Sequence, residues 1–311
     1  MGSRTTSSIA ALSAVLVILA AGGCTGSRPA AATPVRVVSQ SAYRLMLSTV
    51  VVSLASDLQR LRSAQAPAAV SSAAVAAEHD VAGDISTLQG SRGPASVQAA
   101  QAALIAALRQ YDTSLGATAA AAGSDLVCAG SSAAAMLSRS TGAARLRQAQ
   151  TGAGMPQFLP SPTADTHRRL ANGTLIMAPV PRGLGELTII NTAGTTDAVV
   201  GMVAGGSTAM AVYVQAGATR TVRHIGDGVY QVYVTTGADW DAAGRLFTRG
   251  CGFEKMNTTF DYVTTTHGNA TQYAADQITL TPAADGNVTL SNVPADQFPP
   301  PLSPQAQNGP L

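Results

Sequence analysis

The hydrophobic periodicity of this chain changes once, near residues 151–172, and that change constrains the fold more than any single motif. Before it, apolar residues recur at steps of three and four. Leu47, Val51, Leu54, Leu58 and Leu61 share one helical face, as do Ala74, Ala77, Val81 and Leu88. Val97, Leu104, Leu108, Tyr111 and Leu115 form a third stripe, completed by Gln101. Pro67 stops one helix or starts the next, and Gly90, Gly93 and Pro94 break the chain again. Ser124 and Asp125 are positioned to cap a fourth helix carrying Val127, Met136, Leu137 and Leu146. Four alanine-rich helices with short joins predict an up-and-down bundle over residues 36–150, because alanine permits close approach of the helix axes.

Residues 151–172 contain Gly152, Gly154, Pro156, Pro160 and Pro162 and read as an interdomain linker. Beyond Asn172-Gly173 the pattern alternates with period two. Val212 and Val214 face away from Tyr213; Tyr230, Val232 and Val234 share a face; Phe260 and Tyr262 flank Asp261; Ile278 and Leu280 alternate with polar neighbours. Turn signals separate these runs at Gly205-Gly206, Gly217, Asp227-Gly228 and Asp285-Gly286. About eight short strands over residues 173–293 predict an antiparallel β-sandwich. The expected fold class is therefore α+β in two separate domains, with a proline-rich, disordered tail over 294–311.

The N-terminus carries an address. A basic start at Arg4 precedes the apolar run Ile9–Ala21 and then Gly22-Gly23-Cys24. The run is short for a membrane span and ends in small residues, as export signals do. A cysteine after two glycines resembles the lipobox of bacterial lipoproteins, with Ala21 standing where leucine is usual. The resemblance implies a signal peptide over 1–23, diacylation of Cys24, and a short polar tether over 24–35 holding the protein to the extracytoplasmic face of the cell membrane. No later apolar run approaches a span, so the lipid is the expected anchor. Two cysteines remain, Cys128 and Cys251. Outside the cytoplasm such a pair reads as a disulfide rather than a metal site, the alternative being two buried free thiols.

Within the second half, the segment from Val214 through Gly217, Val222, Ile225 and Gly228 to Tyr230 and Val234 resembles transthyretin-like and collagen-adhesin B-type sandwich modules. Gly237–Asp241 and Phe247–Cys251 are similar to a recurrent C-terminal domain of actinobacterial lipoproteins. These resemblances imply a fold and an address and carry no catalytic residue; Lys255, the single lysine, matches no isopeptide position.

Charge and motif content narrow the function classes. The formal net charge is +2, and basic residues form only short pairs such as Arg168-Arg169. No basic stripe with interleaved aromatics exists for a nucleic-acid partner. Asp239 and Asp241 around Trp240, with Glu254, could offer oxygens to calcium, but the spacing is not that of a calcium loop, and a packed Trp240 with solvated aspartates is the preferred reading. Glu78, His79 and Asp80 are adjacent on a helix and point apart, which argues for a solvated face. No HExxH, CxxC, Gly-x-Ser-x-Gly or Ser-x-x-Lys pattern occurs. Asn-x-Thr sequons stand at Asn172, Asn257, Asn269 and Asn287 and read as Thr-rich strands and turns. No cofactor and no metal are expected. The expected function is a non-catalytic envelope lipoprotein, acting as a spacer or interaction module toward an envelope protein or the cell wall. The competing reading is a small-molecule or glycan site on the sandwich loops, using Asp239, Trp240 and Arg245; a hydrolase with a dispersed site is the third.

Overall fold

The computed structural model describes residues 36–180, 182–280 and 289–299, all within one compact unit, Val35–Leu311. Cys24, the signal segment, the whole tether, the turn at Asp285-Gly286, Asn287 and residues 300–311 lie outside the described residues. The architecture is α+β, with five helices followed by a mostly antiparallel, sheet-rich region.

The first helix, α1 (Gln40–Ser63), starts where the Ser39 hydroxyl accepts the Ala42 amide at 3.2 Å. The second, α2 (Pro67–Gly90), has proline in its first turn, where the missing amide costs nothing. The second buries its valine and alanine stripe against the third, α3 (Gln98–Gly123), while α1 packs its leucine stripe on α2 and on the later helices, all within one core. Gln101 is buried and staples the α2–α3 connection: it accepts from the Gly93 amide at 2.9 Å and donates to the Leu88 and Ser91 carbonyls at 2.6 Å.

Three details correct the expected bundle. The single fourth helix is two, α4 (Gly130–Arg139) and α5 (Thr141–Gly152), because Ser140 is extended and its hydroxyl caps α5 by accepting the Ala143 amide. Ser124 and Asp125 end α3 instead of starting a helix. The range expected to be wholly helical also holds two-residue strands, β1 (Arg36–Val37) and β2 (Ser91–Arg92), which pair in parallel. Glycines permit the tightest approaches. A Cβ on Gly130 would lie 2.0 Å from the Leu61 carbonyl oxygen, and one on Gly142 would lie 2.3 Å from that of Gln110.

The later strands are β3 (Leu175–Met177), β4 (Arg182–Asn191), β5 (Asp197–Ala204), β6 (Ser207–Val214), β7 (Ala218–Ile225), β8 (Gly228–Asp241), β9 (Leu246–Tyr262), β10 (Thr265–His267), β11 (Ala270–Gln272), β12 (Ala275–Thr279) and β13 (Leu290–Asn292). A six-stranded sheet runs β13-β9-β8-β5-β6-β3 and a three-stranded sheet β12-β4-β7, while β10 and β11 form a separate small hairpin. Leu187, Ile189, Val222 and Ile278 of the smaller sheet share one core with Val200, Met202, Val212 and Val232 of the larger. Strand β12 departs from the antiparallel expectation. It pairs with β4 in parallel, because the chain reaches it by crossing from one sheet to the other instead of through a hairpin turn.

The larger sheet is covered on its other face too, by a second cluster containing Tyr213, Trp240, Phe247, Cys128 and Phe298. Burial on both faces explains why β5 reads as a near-continuous apolar run without alternation. Phe298 also corrects the start of the expected disordered tail, residues 294–299. The chain makes a 3-10 turn at Ala295–Gln297 and seats Phe298 against Tyr233 and Phe253, with ring centroids 5.5 and 5.3 Å away. Among the described residues no helix is long and apolar enough to cross a membrane.

Candidate functional site

Cys128, Cys251, Asp239, Trp240 and Arg245 lie where the helical part meets the distal end of the β8–β9 hairpin. This hairpin outruns its neighbour, since β5 pairs with β8 only as far as the Asp197–Gly237 register. Past that point the edge of β8 is taken by the segment that the sequence marked as a linker. The Trp240 amide donates to the Arg168 carbonyl at 2.9 Å. On the other strand the α3–α4 connection lies alongside β9. The Cys128 amide donates to the Thr248 carbonyl at 2.8 Å, the Cys251 amide to Asp125 at 3.0 Å, and the Gly250 amide to Leu126 at 3.2 Å. Cys128 and Cys251 are joined as a disulfide at this place, 123 residues apart in sequence.

Residues 153–172 therefore act as a strap. Met155 and Leu159 enter the helical core. Asp165 pairs with Arg139 of α4 at 2.7 Å and with Arg249 of β9 at 3.2 Å. Asp239 is buried and accepts from five donors: the Arg168 amide at 3.0 Å, its Nε and Nη2 at 2.9 Å, and the Thr166 and Thr248 hydroxyls at 2.7 Å. Burial alone would push its carboxyl up, but these donors outweigh it and hold the group well below the usual carboxylate range. Asp197 is built alike. It accepts from the Arg169 guanidinium, the Tyr213 hydroxyl and the Ala216 amide, which lower its pKa against the effect of burial. Asp239 also has positive φ, 61°, a conformation aspartate tolerates better than most residues.

The three candidate ligand-binding residues do not share a cavity among the described residues. Trp240 is 3% exposed and packs edge-on against Phe247 and Tyr213, with centroids at 5.0 and 5.8 Å. Arg245 is exposed in the β8–β9 turn at φ 51° and makes no ion pair among the described residues. Asp239 faces the strap. Asp241 lies 3.5 Å from Arg168, and Glu254 sits opposite Val234, farther along the hairpin. A shallow polar concavity of about 280 Å³ beside Asp197 and Asp239 is rimmed by His167, Arg169 and Thr196. Its carboxylates already hold their full set of donors, so they are clamps with no lone pair left to take a proton from a substrate. No family model, curated protein or solved structure matches this chain.

A second polar group lies inside the bundle. Asp57 of α1 is buried and pairs with Arg60, which also reaches Asp80 of α2 at 2.7 Å. Burial, reinforced by the Asp80 charge, pushes Asp57 up to about 6 against the lowering effect of Arg60. Burial also pushes Asp84 up to about 6, although Ser53 bonds to it. One carboxylate oxygen of each has no partner among the described residues. His79 is exposed beside them. Among the described residues no set of three His, Cys, Asp or Glu side chains is placed to hold a metal ion. The clamp arginines were visible in the sequence only as a basic pair. Their partners are 71 and 28 residues away, and no local spacing marks such a match.

Proposed function

We propose that this chain is a membrane-anchored lipoprotein of the cell envelope, non-catalytic, serving as a spacer and protein-interaction module. In this reading residues 1–23 are a signal peptide, acylated Cys24 and the tether to residue 35 hold the protein to the outer face of the membrane, and a helical bundle and a β-sandwich project from it. The Cys128–Cys251 bond carries the reading. A buried disulfide suits an oxidising, extracytoplasmic compartment. It ties the helical part to the sheets at the point where the strap's ion pairs also converge, so the two parts would transmit position as one body. The loop site around Trp240 and Arg245 has less support, because the tryptophan that a glycan would stack on is enclosed by Tyr213 and Phe247.

The test has two arms. Cys24→Ser should release the protein from the membrane fraction and abolish fatty-acid labelling; retention of the variant together with an unlabelled parent would overturn the anchor. Cross-linking on whole cells should capture an envelope protein on the parent, while Trp240 fluorescence stays indifferent to added glycans. A saturable glycan response lost in Trp240→Phe would replace the spacer with the binding module.

A further inference from the structure

One apolar surface is unused by the proposed spacer. It is a groove of about 540 Å³ at the end of the bundle where the first turns of α1, the start of α3 and the chain just after α5 come together. This is within the ~300–1,000 Å³ typical of small-molecule sites. Val51, Val97 and Ala153 line it half-buried, Met155 closes one wall, and Val52 stands 68% exposed on the rim. Leu45 lies seven residues before Val52 on the same helical face and is 70% exposed. Such an apolar strip left open to water marks a contact to be made.

The polar side chains lining the groove all come from the start of α1: Gln40, Tyr43 and Arg44, and one turn on Ser48, whose hydroxyl is already spent on the Leu45 carbonyl at 2.7 Å. Arg44 is exposed and has no ion pair among the described residues. The Tyr43 hydroxyl is buried without a hydrogen-bond partner among the described residues, and burial raises its pKa, so it remains a protonated donor. One cation without an ion pair, at one end of a mainly apolar trough, is complementary to a single-chain amphiphile with an anionic head.

We propose that this groove binds a long-chain fatty acid, its tail along Val51, Val52 and Met155 and its carboxylate at Arg44. A second copy of the chain fits less well, because a twofold contact would bring the same uncompensated Arg44 in from both sides. The proposal does not depend on acylation of Cys24.

The full-length chain carrying Cys24→Ser, delipidated, is titrated with saturated fatty acids of increasing length and with the matching primary alcohols, by calorimetry below the micelle threshold. Affinity should rise about fourfold per added methylene until the groove is full and then level off. The carboxylates should bind roughly tenfold more tightly than the alcohols in the parent, and this difference should vanish in Arg44→Ala. Val52→Asp should abolish binding. Both substitutions are at exposed positions and leave the fold intact, which circular dichroism checks. Absence of saturable binding, binding unaffected by Val52→Asp, or equal affinity for acid and alcohol in the parent would overturn the assignment. So would a dimer, seen by light scattering in the parent and lost in Val52→Asp, since the groove would then be covered by a second copy.

Discussion

Removing the Cys128–Cys251 bond by the double substitution Cys128→Ala/Cys251→Ala should weaken the fold while leaving its native structure in place. The bond closes a loop of 123 residues. In the chain-entropy model the loss is about 2.1 + 1.5R ln n, or roughly 16 cal/mol/K, which is about 5 kcal/mol at 25 °C. Residual structure in the uncrosslinked denatured chain trims this to about 3–5 kcal/mol. The native junction has other support. The Cys128, Gly250 and Cys251 amides keep their bonds to Thr248, Leu126 and Asp125, and the Ser132 hydroxyl donates to the Thr248 carbonyl at 2.6 Å. The effect therefore belongs to the unfolded state. Urea denaturation followed by circular dichroism should show a lower midpoint and a larger m-value, because the open chain exposes more surface when it unfolds. The near-ultraviolet spectrum, dominated by the packed Trp240, should be unchanged. An unfolding free energy within about 1 kcal/mol of the parent would refute the entropic account. Two free thiols in the native parent would remove its premise.

Asp239→Asn should cost about 2–3 kcal/mol, below the range for a fully buried pair because Arg168 is 47% exposed and can rehydrate, with faster trypsin cleavage after Arg168 as an independent readout. Asp57 and Asp84 both have folded pKa values raised to about 6, so the folded protein holds more protons than the unfolded chain between pH 4 and 6. Stability should fall as pH rises through that window, and Asp84→Asn should flatten the slope; a flat parent profile would remove these carboxyls from consideration. Gly130→Ala should destabilise by about 3 kcal/mol, since its Cβ would meet the Leu61 and Arg62 carbonyls. Gly83→Ala, with open space around it, should gain up to about 1 kcal/mol, and equal effects of the two in thermal melts would contradict the packing described.

Much of the local structure is determined by sequence alone. The stripes through Leu54, Leu104 and Leu115 are helical whatever they pack against, and Pro67 marks a start because its missing amide is tolerated only in a first turn. The alternation in Tyr230, Val232 and Val234 likewise sets which side of β8 faces the shared core. Only the tertiary structure decided matters that depend on residues distant in the chain. Asp239 and Arg168 look like surface charges until the strap lays one against the other, so the aspartate expected to be solvated is buried, whereas Trp240 packs as expected, against Tyr213 and Phe247. The parallel β4–β12 pair arises from a crossover between sheets, and the α1 groove arises where three separated segments end together. Periodicity and capping act over a few residues, whereas ion pairs, strand order and cavities are set by which distant segments the folded chain brings side by side.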